Sequence, residues 1–142
     1  MNTRWQLGRF VLVLLAMIAA GLLAGSASAA DLSGAWSGRW DSLSTGHSGP
    51  LNANFTRINE SQYQVDFRGR FFKLIPFRYS VVLDVVEEGE TVRLSGDNYL
   101  GRRYGWFHYD AVVAGDCFTA NYSSCKDDGQ FRLTRCCASA AK

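Results

Sequence analysis

Apolar and polar residues alternate along most of the chain after residue 30. In the stretch Trp36-Ser37-Gly38-Arg39-Trp40, both tryptophans share one face of a strand and the two polar residues take the other. The same two-residue period recurs in seven further stretches, at 51–56, 63–71, 77–85, 92–95, 107–113, 118–123 and 130–134. Gly38 would cost a helix about 1 kcal/mol, and no three-four apolar repeat follows it. The pattern therefore predicts eight strands, each with one buried face, and no helix after residue 30.

The connections between these strands are short. Turn-forming residues stand at 44–46, 59–61, 87–90 and 127–129, an apolar turn ends at Pro76, and 96–103 is predicted to be a longer loop. Short connections favour antiparallel pairing of sequential strands, and closing the sheet removes its exposed edges. We predict an all-β fold, an eight-stranded antiparallel up-and-down barrel. A two-sheet sandwich needs longer crossovers, and an outer-membrane barrel needs an apolar outer face, where this chain has arginines.

The first 30 residues have the composition of a signal peptide. Arg4 and Arg9 precede an apolar run at 10–23, and the small residues at 25–30 suit cleavage after Ala29 or Ala30. An uncleaved membrane anchor is the alternative, but the run is short for a spanning helix. We expect a signal peptide at 1–30 and a single barrel domain at 31–142. The protein would then be exported to the periplasm, the cell envelope or the medium, with no membrane span after cleavage.

The charge of the domain is balanced. Thirteen basic and thirteen acidic residues follow residue 30, so the sequence gives no reason to expect a nucleic-acid partner. Several cations (Arg68, Arg70, Lys73 and Arg78) fall on the outer face where the third and fourth strands meet. They either keep that face soluble or meet an acidic partner, and we favour the first interpretation.

All four cysteines lie near the C-terminus: Cys117, Cys125, Cys136 and Cys137. In an oxidising compartment we expect at least one disulfide. If the last hairpin turns around residues 127 and 128, position 117 lies opposite about 138, so Cys117 would bond to Cys136 or Cys137. The spacing does not favour a zinc site, and we expect no metal or other cofactor.

The two ends of the domain resemble the calycin superfamily, which comprises the lipocalins, the fatty-acid-binding proteins and the avidins. Gly34-Ala35-Trp36 is similar to the Gly-x-Trp of their first strand, and Arg135 matches the cation that covers this tryptophan from the last strand. The chain also resembles small exported bacterial proteins of unknown function, through its two tryptophans and Gly46-His47-Ser48-Gly49-Pro50-Leu51. The calycin resemblance implies a barrel that binds a small apolar ligand inside.

The inward faces of the predicted strands supply the candidate ligand site. Its aromatic residues are Trp36, Trp40, Phe55, Tyr63, Phe67, Tyr79, Phe107, Tyr109, Phe118, Tyr122 and Phe131. The same side chains could instead fill the barrel completely, since eight strands enclose just enough space for that. In that case the protein would act through its outer surface, as an envelope interaction module or an inhibitor.

Neither histidine carries a recognisable catalytic arrangement. His47 lies in a polar loop without a nucleophile motif, and His108 lies on the outer face beside Asp110. We therefore predict that the protein is not an enzyme.

Overall fold

A computed structural model of the chain describes residues 30–136. The predicted signal peptide and Cys137 lie outside these residues, apart from Ala30. The eight strands are β1 (Gly34–Ser42), β2 (Ser48–Asn59), β3 (Gln62–Phe71), β4 (Ile75–Glu88), β5 (Val92–Tyr99), β6 (Trp106–Ala114), β7 (Cys117–Ser124) and β8 (Asp128–Arg135). The described residues contain no helix.

The strands form one closed antiparallel barrel in which each strand pairs with its neighbours in sequence and β8 pairs with β1. At the closing seam, Trp36 lies opposite Arg135 and Trp40 lies opposite Phe131. This confirms the fold predicted from the alternation, and the architecture is compatible with a calycin-like fold. Leu51, Val65 and Phe67 are among the most deeply buried residues, so the core is the interior of the barrel.

The two ends of the barrel carry different loops. At one end, which we call the open end, lie the connections at 43–47, 72–74, 100–105 and 125–127. At the other, the closed end, lie the connections at 60–61, 89–91 and 115–116, together with the segment 31–33 that precedes β1.

The predicted turn between β7 and β8 is wrong. The amide of Ser124 donates to the carbonyl of Asp127 (2.8 Å), and the amide of Asp127 donates back to the Ser124 hydroxyl (3.0 Å). Ser123 therefore pairs with Asp128, and Cys117 lies opposite Thr134 rather than opposite about 138.

This register affects the predicted disulfide. Cys117, Cys125 and Cys136 are free thiols in the structure. Cys136 lies two residues beyond Thr134, the residue opposite Cys117. Residues at such diagonal positions are about 7–8 Å apart, which is farther than the Cα atoms of most disulfides. A bond to Cys137 lies outside the described residues.

The predicted long loop at 96–103 is also shorter than expected. Residues 96–99 continue β5 and pair with β6, from Gly96 opposite Tyr109 to Tyr99 opposite Trp106. Only 100–105 form the connection.

Candidate functional site

A cavity of about 630 Å³ occupies the open end of the barrel. Most of its wall is aromatic. The lining residues are Trp40, Thr45, His47, Phe71, Phe72, Pro76, Phe77, Arg78, Tyr79, Leu100, Arg103, Tyr104, Phe107, Tyr122, Lys126, Asp127 and Phe131. The volume lies within the range of about 300–1,000 Å³ that small-molecule sites commonly have.

The predicted ligand-site residues divide between this cavity and a packed floor below it. Five of them line the cavity: Trp40, Tyr79, Phe107, Tyr122 and Phe131. The other six, namely Trp36, Phe55, Tyr63, Phe67, Tyr109 and Phe118, are buried and lie outside the cavity lining. Rings of the floor pack edge to face, as between Phe55 and Phe118, whose centroids are 5.3 Å apart. The barrel is therefore filled in its closed half and hollow in its open half.

Glycines on the inward face let aromatic rings lie close to the barrel wall. A Cβ atom at Gly69 would collide with the ring of Phe77, and one at Gly129 would approach the hydroxyl of Tyr122 to 2.5 Å. Both rings line the cavity. Because each ring lies against bare backbone, the space at the centre of the open end stays free.

The closed end is sealed by the contact that the sequence predicts between Trp36 and Arg135. The guanidinium carbon lies 4.6 Å from the centroid of the Trp36 ring, and its two amino groups donate to the carbonyls of Ser33 and Asp31 (3.0 Å each). The indole N–H donates to the carbonyl of Leu32 (3.0 Å), whose side chain is buried. These contacts hold the segment 31–33 across this end, so the cavity opens at the opposite one.

Among the described residues, the one carboxylate that lines the cavity already has several partners. Asp127 accepts hydrogen bonds from the hydroxyls of Ser42 (2.6 Å), Ser44 (3.0 Å) and Tyr122 (3.1 Å). It ties the β7–β8 turn to the end of β1. Burial raises the pKa of Tyr122 well above its ordinary value of 10.0, with the charge of Asp127 as the next cause, so the phenol is neutral at physiological pH.

Burial also raises the pKa values of Tyr79, which lines the cavity, and of Tyr109, which belongs to the floor. These phenols are neutral at physiological pH. At the mouth, by contrast, the cavity is lined by Arg78, Arg103 and Lys126. The site combines an apolar aromatic interior with a cationic entrance.

The indole nitrogen of Trp40 is buried and has no hydrogen-bond partner among the described residues. The buried hydroxyl of Tyr109, by contrast, interacts with the hydroxyl of Tyr79. A buried polar group left unpaired costs about 1–3 kcal/mol. Trp40 itself lines the cavity, and Tyr109 stacks on Phe107, which does so.

The barrel wall is interrupted beside the cavity. The β4–β5 ladder begins at the closed end and stops at Asp84 opposite Ser95, although β4 continues to Ile75 and β5 to Tyr99. The side chain of Asn98 bridges the separating strands, since its amide accepts from the Val82 amide (3.1 Å) and donates to the Val82 carbonyl (3.2 Å). Beyond this bridge no backbone ladder joins the two strands.

Several cavity residues were not identified from the sequence. Phe71 and Phe77 occupy inward-facing positions of the alternating pattern, so their place in the cavity wall was predictable from the sequence. His47, interpreted as an ordinary loop residue, lines the cavity and packs edge to face on Phe72 at 4.6 Å. Arg78, assigned to the outer face, reaches the cavity mouth at the interrupted wall.

The second histidine lies away from the cavity on the outer wall. His108 bonds to Asp97 (2.6 Å) through one ring nitrogen and to Asp110 (3.2 Å) through the other. The hydrogen bond to Asp97 is the main reason why the pKa of His108 is raised. Both ring nitrogens are therefore occupied by carboxylates.

Within residues 30–136, no group of three or more histidine, cysteine or acidic side chains is placed to bind a metal ion. The same residues include no helix that is long and apolar enough to span a membrane. Comparison with protein-family models, curated proteins and solved structures gives no match to this chain.

Proposed function

We propose that this protein binds one small hydrophobic molecule in the cavity at the open end of its barrel. The observation that carries the proposal is the cavity itself, which measures about 630 Å³ and has a mainly aromatic lining. Sites for small molecules are typically concave, largely preformed and mostly apolar, with a few polar groups. A barrel that only needed to be stable would fill this space with side chains, as it does at its floor.

The packed floor supports this role because it fixes the cavity's shape. The rings of Phe67 and Phe131 lie 5.1 Å apart, and Phe131 is also part of the cavity lining. A rigid lower half keeps the upper half open without a ligand, which limits the ordering that binding must induce. The calycin resemblance adds to the proposal, since members of that superfamily bind ligands inside the barrel.

A cavity-filling substitution tests the proposal. Leu100 lines the cavity and is partly buried, so Leu100→Trp would place an indole in the space that we assign to the ligand. The matched control is Leu43→Trp, because Leu43 belongs to the same end of the barrel but is exposed and does not line the cavity. The probe is N-phenyl-1-naphthylamine, a neutral dye that fluoresces in apolar sites.

We expect the unmodified protein and Leu43→Trp to bind one dye molecule per chain with similar affinity. Leu100→Trp should bind the dye at least about tenfold more weakly, which corresponds to a loss of about 1.4 kcal/mol in binding free energy. Equal affinity in all three proteins, or no saturable binding by the unmodified one, would contradict the proposal.

A second candidate function uses the outer surface. Arg68, Arg70 and Arg78 line a groove of about 560 Å³ on the outside of β2, β3 and β4, together with Pro50 and other residues. This groove favours an envelope interaction module that recognises an acidic partner. Replacing Arg68 and Arg70 by serine would abolish such an interaction and leave dye binding unchanged, so the two functions can be separated.

Export is part of the same proposal. We infer that residues 1–30 direct the chain out of the cytoplasm and are then removed, so that the cysteines meet an oxidising environment. Intact-mass measurement of the protein from its own host, with and without thiol alkylation, tests both points. We expect a chain that begins near Asp31 and carries fewer than four free thiols.

A further inference from the structure

We propose that the open end of the barrel docks on the surface of an anionic lipid bilayer. The contact surface, which we call the rim, consists of residues 72–75 of the β3–β4 hairpin and residues 99–106 around the β5–β6 loop. The proposal goes beyond ligand binding and does not require the cavity to be occupied.

The rim exposes large apolar side chains. Leu74 is 83% exposed, Trp106 is 64% exposed and Phe72 is 63% exposed. Tyr99 and Trp106 lie side by side, with ring centroids 5.6 Å apart. Tryptophan and tyrosine are the residues that proteins place at the boundary between lipid and water. At the closed end the exposed large apolar residues among those described include Ile58 and Val86 but no aromatic ring.

Cations without an ion-pair partner among the described residues lie beside these apolar groups, and one of them, Lys126, donates a hydrogen bond to the carbonyl of Arg103. Lys73, Arg102, Arg103 and Lys126 all belong to open-end loops, and none of them forms an ion pair with a carboxylate of residues 30–136. Basic groups near an anionic membrane strengthen binding, and the open-end loops carry these four cations against one acidic residue, Asp127.

The closed end carries the opposite charge. Its loops contain Glu60, Glu90 and Asp116, and none of them contains a lysine or an arginine. A domain with balanced total charge is therefore polarised along its axis. An anionic surface would orient the barrel with its open end toward the lipid.

The backbone at the tip of the β3–β4 hairpin gives an independent indication. Phe72 and Lys73 have φ angles of 51° and 62°, and the amide of Leu74 donates to the carbonyl of Phe71 (3.0 Å). A β-turn whose two central φ angles are both positive favours glycine, asparagine or aspartate, because bulky residues are strained there. This chain instead holds an aromatic ring and an ammonium group at the tip, against the preference of the turn. Strain of this kind marks positions that serve function rather than stability.

The form of the rim favours lipid over a protein partner. Its apolar and cationic groups stand on the tips of separate loops around the cavity mouth. A fluid, planar surface can contact all these tips without matching their shape. Shallow insertion of aromatic and aliphatic side chains beside basic ones is the usual mode of interfacial binding.

Amide hydrogen exchange of the full chain, purified from its own host, tests the docking. The exchange is measured with vesicles of equal parts phosphatidylglycerol and phosphatidylcholine, with phosphatidylcholine vesicles, and with soluble polyglutamate. We expect the mixed vesicles to slow exchange at 72–75 and 99–106 but not at 60–61 or 89–91, which serve as controls within the same sample. Added salt should reverse the protection.

No protection at the rim, or equal protection at both ends, would overturn the proposal. Equal protection by phosphatidylcholine alone would also contradict it, because the cations would then have no role. Protection by polyglutamate but not by the mixed vesicles would identify an acidic polypeptide as the partner and likewise overturn it.

The turn itself provides a variant that separates docking from folding. Phe72→Asn combined with Lys73→Gly gives the turn its preferred residues, so we expect the melting temperature to rise by a few degrees. Affinity for the mixed vesicles should fall about tenfold or more, since one cation and one inserted ring are lost. Ile58→Thr, which removes an exposed apolar side chain at the closed end, should leave vesicle affinity unchanged.

Leu74→Ser provides a further check, because Leu74 is the most exposed of the rim's large apolar residues and contributes little to the fold. We expect a loss of vesicle affinity without loss of stability. Unchanged vesicle affinity in both rim variants would refute the docking surface.

Discussion

Replacing Arg135 by alanine tests how the barrel is closed. In the structure its guanidinium lies over the Trp36 ring at 4.6 Å and donates to the carbonyls of Ser33 and Asp31 at 3.0 Å each. A cation–π contact contributes about 0.5–2 kcal/mol, and a hydrogen bond from a charged donor about 1.5–3 kcal/mol. The Arg135 side chain is 29% exposed, so the low ends of these ranges apply.

We therefore expect Arg135→Ala to lower the free energy of unfolding by about 2–4 kcal/mol. For a domain of this size the melting temperature should fall by about 10 °C. The ion pair with Asp116 adds little to this loss, because that carboxylate is 77% exposed. Urea unfolding followed by tryptophan fluorescence measures the effect.

Two further variants make the result specific. Arg132→Ala is the matched control, because this arginine lies on the same strand, points outward and, among the described residues, its side chain bonds to that of Gln130 alone (2.8 Å). It should change stability by no more than about 0.5 kcal/mol. Arg135→Lys keeps the charge but loses the planar guanidinium group. Its loss of unfolding free energy should therefore lie between those of Arg132→Ala and Arg135→Ala. Equal stability of Arg135→Ala and Arg132→Ala would refute the closure that we describe.

Three other substitutions give independent expectations. Asn98→Ala removes the bridge to Val82, so it should destabilise the fold by about 1–2 kcal/mol and speed dye release in stopped-flow measurements. Gly38→Ala brings a Cβ atom against the backbone of β8, so it should lower the melting temperature markedly in a thermal scan. In an NMR titration, His108 should have a pKa above 6.5 that falls in Asp97→Asn.

The sign of the pH effect follows from that raised pKa. Protonated His108 stabilises the fold fully below about pH 6.5, and this contribution is lost as the pH rises through the folded-state pKa. The exposed setting limits the effect to less than about 1 kcal/mol. An unchanged His108 pKa in Asp97→Asn, unchanged dye release in Asn98→Ala, or an unchanged melting temperature in Gly38→Ala would each contradict the contact concerned.

The barrel was predictable because its signal is local. Each strand is indicated by alternation over four to nine residues, and short connections leave few ways to pair eight such strands. The facing positions of Trp36 and Arg135 followed from the same alternation once closure was assumed.

The details that sequence reasoning missed depend on contacts between distant residues. The β7–β8 turn lies two residues earlier than its sequence suggests, and in it Asp127 accepts a hydrogen bond from Ser42, 85 positions away in the chain. Residues 96–99 of β5 were predicted to be a loop because the apolar alternation stops there. In the structure Asn98 donates to the carbonyl of Val82, and Gly96 leaves room for the same carbonyl.

The division of the lumen into a packed floor and a cavity was not predictable either. Phe118 fills space at the floor and Phe107 lines the cavity, yet both are aromatic residues at inward strand positions. What separates them is the three-dimensional arrangement of the open end, where rings lie against glycines and β4 parts from β5. Neither the amino-acid composition nor the two-residue alternation predicts this arrangement.

Native mass spectrometry of the protein purified from its own host tests the central claim most directly. The account predicts a folded chain that carries one small organic molecule, and predicts that Leu100→Trp, produced in the same host, carries none. A bare mass for both proteins, or an equal adduct on both, would contradict a ligand site at the open end of the barrel.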